Sequence, residues 1–241
     1  INAATIIMVF LLTKRLYDSS TGILAGVSFA ILSVSPSVLG TSAHATHFVI
    51  LPVLGGIFLM LKTIDSGKWK PLFWSGILFG ISFMMKQPGV FFIIFAFLYL
   101  LFNLEHRYDF SHRTLLKQGA LFLFGSILPF VLTVGILSIA GIFEKFWFWT
   151  FSYAYEYASQ IPFSMGLEIF LRQVPNITGH FYLLWGVAGL GISALLWDKT
   201  SRTHAPFILG FFVFSFLAVC PGLYFREHYF VFILPAVSLL I

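Results

Sequence analysis

Apolar residues along this chain come in blocks and do not alternate with polar ones. Stretches such as Gly89–Leu104 and Gly119–Phe143 are continuous, and short polar connections separate them. A membrane β-strand would alternate apolar and polar over about ten residues, so continuous runs of this length argue for helices. Nine apolar segments follow: Asn2–Leu12, Gly22–Leu39, Phe48–Leu61, Leu72–Met85, Pro88–Leu104, Gly119–Phe143, Phe181–Trp197, Pro206–Val219 and Tyr229–Ile241. Several are shorter than the roughly 20 residues that cross hydrocarbon, and flanking Trp, Tyr, Lys and His extend them to the interface. The pattern predicts an all-α, polytopic transmembrane bundle of about nine segments. One long connection, Glu144–His180, carries the aromatic run Phe146–Tyr157, which reads as a helix lying at headgroup level.

Composition supports lipid as the solvent. The chain is 59% hydrophobic and 10% charged, with mean hydropathy +0.95. A soluble domain has about 25% charged residues. The lone cysteine, Cys220, has no partner within the chain for a disulfide. The net charge of +5 does not indicate a nucleic-acid partner, because the basic residues follow membrane topology.

That topology turns on Pro88. If a tight turn at Pro88 separates two helices, one set of loops holds Lys14, Arg15, Lys62, Lys68, Lys70, Arg107, Arg113, Lys117, Lys199 and Arg202. The other set holds Lys86, Lys145, Arg172 and Arg226, a split of 10 to 4 among the 14 basic residues. A single kinked helix would put the basic loops before and after it on opposite sides. The turn therefore fits the positive-inside rule, and the first set is cytoplasmic. Ile1–Leu12 is too short for a full span and the chain stops inside an apolar run, so the sequence reads as part of a longer protein.

Four places on the non-cytoplasmic face carry candidate chemistry. His44 and His47 lie three apart at a helix start, on one face, and serve either as interfacial capping residues or as ligands for a phosphate, a sugar hydroxyl or a metal. Two histidines alone supply only two metal ligands. Lys86 is the lone cation in a long apolar stretch and faces away from the cytoplasm. It is either a snorkelling lysine or, the favoured reading, a cation at the rim of an apolar cavity suited to phosphate. Arg226, Glu227 and His228 are consecutive at a helix start, more ionisable groups than an interfacial anchor belt needs. The aromatic run is the fourth, and for it a plain aromatic belt outweighs substrate contact. Asn176-Ile177-Thr178 matches a glycosylation sequon, a motif common by chance. No Gly-rich phosphate loop, HExxH, GxSxG or CxxC motif is present, so soluble nucleotide chemistry is unsupported.

In their order and sidedness these features resemble the GT-C glycosyltransferases, in particular the bacterial family-39-like mannosyltransferases and aminoarabinose transferases. Lys14-Arg15-Leu16-Tyr17, Gly22–Gly26 and Ser35-Pro36 resemble the family's early helix pair. Gly76–Gly80 followed by Lys86-Gln87-Pro88-Gly89 resembles its glycine-spaced helix with a trailing lysine, and Arg226–Phe230 before Leu234-Pro235-Ala236 resembles a late basic-aromatic helix. The resemblance implies a membrane enzyme that moves a sugar from a polyprenyl-phosphate donor to a lipid, glycan or protein acceptor on the outer face, in a bacterial cytoplasmic (inner) membrane. It implies donor phosphate or sugar contacts at Lys86, Arg226, His228, Glu227, His44 and His47. At His44 or His47 relatives often carry an acidic residue, a departure from the pattern. The family's base is an aspartate in an outer loop. Asp18, Asp65, Asp109 and Asp198 all fall on the cytoplasmic side, so that base is expected upstream of Ile1. No motif demands a cofactor, and a divalent metal stays open. A lipid-linked polysaccharide polymerase or ligase is the nearest alternative. A transporter or flippase fits less well, because the ionisable residues gather at one face and no repeat is visible.

Overall fold

A computed structural model describes residues 1–107 and 112–241, so Asp109 lies outside the described residues. Among the described residues the regular structure is helical, with no strand. The first six apolar segments form α1 (Asn2–Leu16), α2 (Ser19–Ser33), α3 (Ala45–Ser66), α4 (Lys70–Met85), α5 (Gly89–Arg107) and α6 (His112–Ile139). The long connection is itself helical. It forms α7 (Phe143–Trp147), a π-helical turn at Phe148–Ser152, α8 (Tyr153–Ala158) and α9 (Phe163–Gly179). Then come α10 (Tyr182–Trp197) and α11 (Lys199–Val219). The last segment is a 3₁₀ turn, Glu227–Phe232, followed by a short α12 (Leu234–Ser238). Pro235, which has no N–H to donate, sits in the first turn of α12, the position where a helix tolerates it.

By length and composition α3, α6 and α11 can each cross a bilayer. The pair α9 and α10 would pass together but is bent by 106° between them, and α2, α4 and α5 are apolar but shorter. The fold class is that of an all-α membrane bundle.

The ends of the bundle differ in chemistry. At one, Arg15 at the end of α1 pairs with Asp65 at the end of α3 at 2.5 Å, and Tyr17 meets His204 of α11 edge-on at 5.2 Å. Asp18 and Asp198 cap α2 and α11 there, accepting from the Thr21 and Ser201 N–H groups at 2.8 and 2.7 Å. The three described aspartates thus have local structural work at the basic end. Pro88 marks a turn between two helices. α4 ends at Met85, α5 starts at Gly89, and the Gly89 N–H donates to the Lys86 carbonyl at 2.9 Å.

Small residues let α4 sit deep in the bundle. A Cβ at Gly76 or Gly80 would lie 2.4 Å from the backbone oxygens of Phe122 or Ser126 in α6. From the other side, a Cβ at Gly125 would lie 2.6 Å from the Phe73 oxygen. This is small-residue packing of the kind that holds helices together where lipid is as apolar as any side chain. On the opposite flank of α4 the buried Ser75 hydroxyl donates to the Gly56 carbonyl of α3 at 2.7 Å. Phenylalanines lock α5 to α11 and to the last turn, with Phe95–Phe211 at 5.6 Å and Phe92–Phe232 at 6.0 Å between ring centroids.

Gly76→Leu should therefore separate α4 from α6 and lower the melting temperature in detergent by several degrees, as overpacking by about 1–3 kcal/mol does. Gly135→Leu, where a Cβ meets nothing within 4 Å, should leave it unchanged.

Candidate functional site

All four sequence clusters meet at the end opposite the Arg15–Asp65 pair. His44, the residue before α3, makes no side-chain capping bond. Its ring stacks on His228 at 4.2 Å between centroids and 10° between planes, joining the connection before α3 to the 3₁₀ turn. The other side of His228 meets Tyr229 edge-on at 4.7 Å. His47 lies one turn further along α3, 8% exposed, and its Nε2 has no hydrogen-bond partner among the described residues. His47 lies within α3 and His44 just before it, and only His44 reaches the stack.

Lys86 ends α4 in an extended conformation, and its ammonium sits 3.9 Å from the centroid of the Tyr229 ring and 5.7 Å from that of Phe232. The ring face supplies attraction without cancelling the charge. Lys86 makes no ion pair among the described residues. Burial, and secondarily the nearby Arg226, push its ammonium down to about 8 from the ordinary 10.5. His228 falls to about 4, first through burial and then through the charges of Lys86, His44 and Arg226, with Glu227 opposing. At neutral pH Lys86 is thus mostly a cation and His228 a neutral hydrogen-bonding group. Glu227, the acidic member of the cluster, forms no ion pair among the described residues.

The aromatic connection closes the site. Gln87 donates from Nε2 to the Thr150 carbonyl at 2.8 Å, fastening the π-helical turn to the α4–α5 turn. Phe151 and Phe146 pack inward on Phe130 of α6 at 5.9 and 6.5 Å, while Phe148 and Trp149 stay more than half exposed. Two clefts flank Lys86 and share it with Gln87. One, about 190 Å³, is walled by Phe83, Met84, Met85, Phe130, Phe146 and Phe151. The other, about 170 Å³, is walled by Tyr157, Tyr229, Pro88, Pro221 and small residues. Among the described residues no three His, Cys, Asp or Glu side chains converge as a metal would require.

Sequence reasoning placed Tyr157 in an aromatic belt and gave Gln87 no role. In the structure Tyr157 accepts a hydrogen bond from the Arg226 guanidinium. No local pattern marks one tyrosine of that run over another, because its partner lies 69 residues away.

Residues 1–154 match the family described as dolichyl-phosphate-mannose-protein mannosyltransferase. The chain belongs to this family. It is accordingly a membrane glycosyltransferase. The match contains His44, His47 and Lys86 and stops before Arg226, Glu227 and His228. No curated protein and no solved structure matches the chain.

If the charged form of Lys86 binds the substrate, the alkaline limb of kcat/KM should fall with an apparent pKa of about 8, the value for the free enzyme. Lys86→Arg, which stays charged, should move that limb upward. An alkaline limb identical in the two proteins would exclude Lys86 as the titrating group.

Proposed function

We propose that this chain moves a sugar from a polyprenyl-phosphate-linked donor to an acceptor on the non-cytoplasmic face of a bacterial cytoplasmic membrane. Lys86 and Arg226 contact the donor phosphate, and His44, His47, Glu227 and His228 contact phosphate or sugar. Convergence carries this reading: residues from four separate connections meet around one half-buried ammonium that makes no ion pair among the described residues. Family membership supplies the glycosyl-transfer chemistry.

The two clefts suit a donor with an apolar tail and a polar head. Each is smaller than the roughly 300 Å³ of the usual small-molecule site, so a larger ligand runs from one to the other past Lys86. The phenylalanine and methionine walls of the first suit an isoprenoid chain. The tyrosines of the second suit the sugar.

The step is an inverting displacement. The acceptor oxygen bonds to the anomeric carbon, and the bond from that carbon to the phosphate oxygen breaks with its electron pair. The acceptor proton passes to a carboxylate base. A phosphodiester bearing one charge becomes a monoester bearing up to two, and Lys86 and Arg226 stabilise the charge that develops.

Lys86→Ala in the full-length protein should abolish sugar transfer from polyprenyl-phosphate donors in isolated membranes. Membrane insertion, followed by protease protection, should be unchanged. Wild-type turnover by that variant would remove Lys86 from the site.

A further inference from the structure

Resting on the reading of Arg226 as a phosphate contact, we infer that Tyr157 is its positioning residue, an uncharged holder that aims the guanidinium without neutralising it. Three observations carry this inference. First, the Arg226 guanidinium donates to the Tyr157 hydroxyl, and its carbon lies 5.7 Å from the Tyr157 ring centroid and 5.3 Å from that of Tyr224. Among the described residues Arg226 makes no ion pair, although Glu227 is its chain neighbour. A carboxylate in the same place would orient the fork but offset its charge. A phenol takes one of the five N–H groups and leaves the charge and the other donors for an anion.

Second, the holder is itself held. Tyr157 and Tyr224 stack at 4.6 Å and 13°. The Tyr224 hydroxyl lies 3.2 Å from the Tyr157 carbonyl and 3.0 Å from Gln160 Oε1, within hydrogen-bonding reach of both. Third, the backbone before Arg226 adopts left-handed conformations at consecutive and alternate positions: Gly222 at φ 77°, Leu223 at 55° and Phe225 at 43°. Glycine adopts this region freely, whereas Leu and Phe do so against their own sterics. The result is a clean division of side chains. Leu223 meets Gly166, where a Cβ would come within 2.7 Å, and Phe225 packs on Phe170 at 5.0 Å, both in α9. Tyr224 and Arg226 turn the other way, to Tyr157 of α8. The strained segment therefore grips α9 with one set of side chains and presents the guanidinium to α8 with the other.

The test is a double-mutant cycle read as binding of undecaprenyl phosphate to the full-length protein in nanodiscs, with undecaprenol as the uncharged control. Arg226→Ala should weaken phosphate binding by about 10- to 100-fold, as loss of hydrogen bonds to a charged group does, and leave undecaprenol binding unchanged. Tyr157→Ala should cause most of the same loss, and adding it to Arg226→Ala should cost nothing more. Tyr157→Phe keeps the ring and should fall between wild type and Tyr157→Ala, which gives an answer even if the alanine variant misfolds. Additive losses, or unchanged phosphate binding by both Tyr157 variants beside a weakened Arg226→Ala, would overturn the positioning role alone. Unchanged binding by Arg226→Ala would overturn the underlying reading of Arg226.

Discussion

Lys86 is a half-buried ammonium at the end of α4, held by the face of Tyr229 with no ion pair among the described residues. Removing a charge from water is costly, and a protein usually offsets the cost with an opposite charge. Here the offset is partial. An aromatic face attracts the cation by up to about 2 kcal/mol when desolvated and leaves its charge intact. Burial, and secondarily the charge of Arg226, lower the ammonium pKa. In the proposed reading the donor phosphate supplies the opposite charge. Around Lys86, Gln87 ties down the π-helical turn, Tyr229 extends to the His228–His44 stack, and Arg226 adds a second cation with no ion pair among the described residues.

Helix packing fixes where that ammonium sits. Gly76 and Gly80 bring α4 against the backbone of α6, so the α4–α5 turn is anchored two turns away by contacts that admit no side chain. In lipid such close backbone approach replaces the hydrophobic drive that would collapse a soluble bundle. The inward phenylalanines of the aromatic connection reuse α6, packing Phe146 and Phe151 on Phe130. One helix pair thus supports both the cation and the wall of the cleft beside it. The aromatic connection, which reads from the sequence as an interfacial helix, is helical and packs on the bundle through these rings.

Much of this was legible in the chain. Block hydropathy located the helices, and the distribution of basic residues required a turn at Pro88, which the structure contains. The isolation of Lys86 in an apolar stretch marked it as unusual. The three clusters at His44–His47, Lys86 and Arg226–His228 also stood out, because ionisable groups next to hydrocarbon are costly enough to need a reason. The pairings among them did not stand out. His44 and His228 are 184 positions apart, and nothing in a periodicity of 3.6 says which connections touch. Tyr157 was hidden by its neighbours, since an aromatic run reads as interface whichever ring points inward. The left-handed residues Leu223 and Phe225 were hidden for a different reason: only the glycine before them hints at the conformation they adopt.

The central claim is that an uncompensated cation site at one end of the bundle takes the phosphate of a lipid carrier. The most direct measurement is the affinity of full-length protein in nanodiscs for undecaprenyl phosphate and for undecaprenol, each with Lys86 intact and with Lys86→Ala. The account predicts that the phosphate adds substantially to binding by the wild type and adds little once Lys86 is removed. Equal binding of the two lipids by the wild-type protein, or an unchanged phosphate preference in Lys86→Ala, would contradict it.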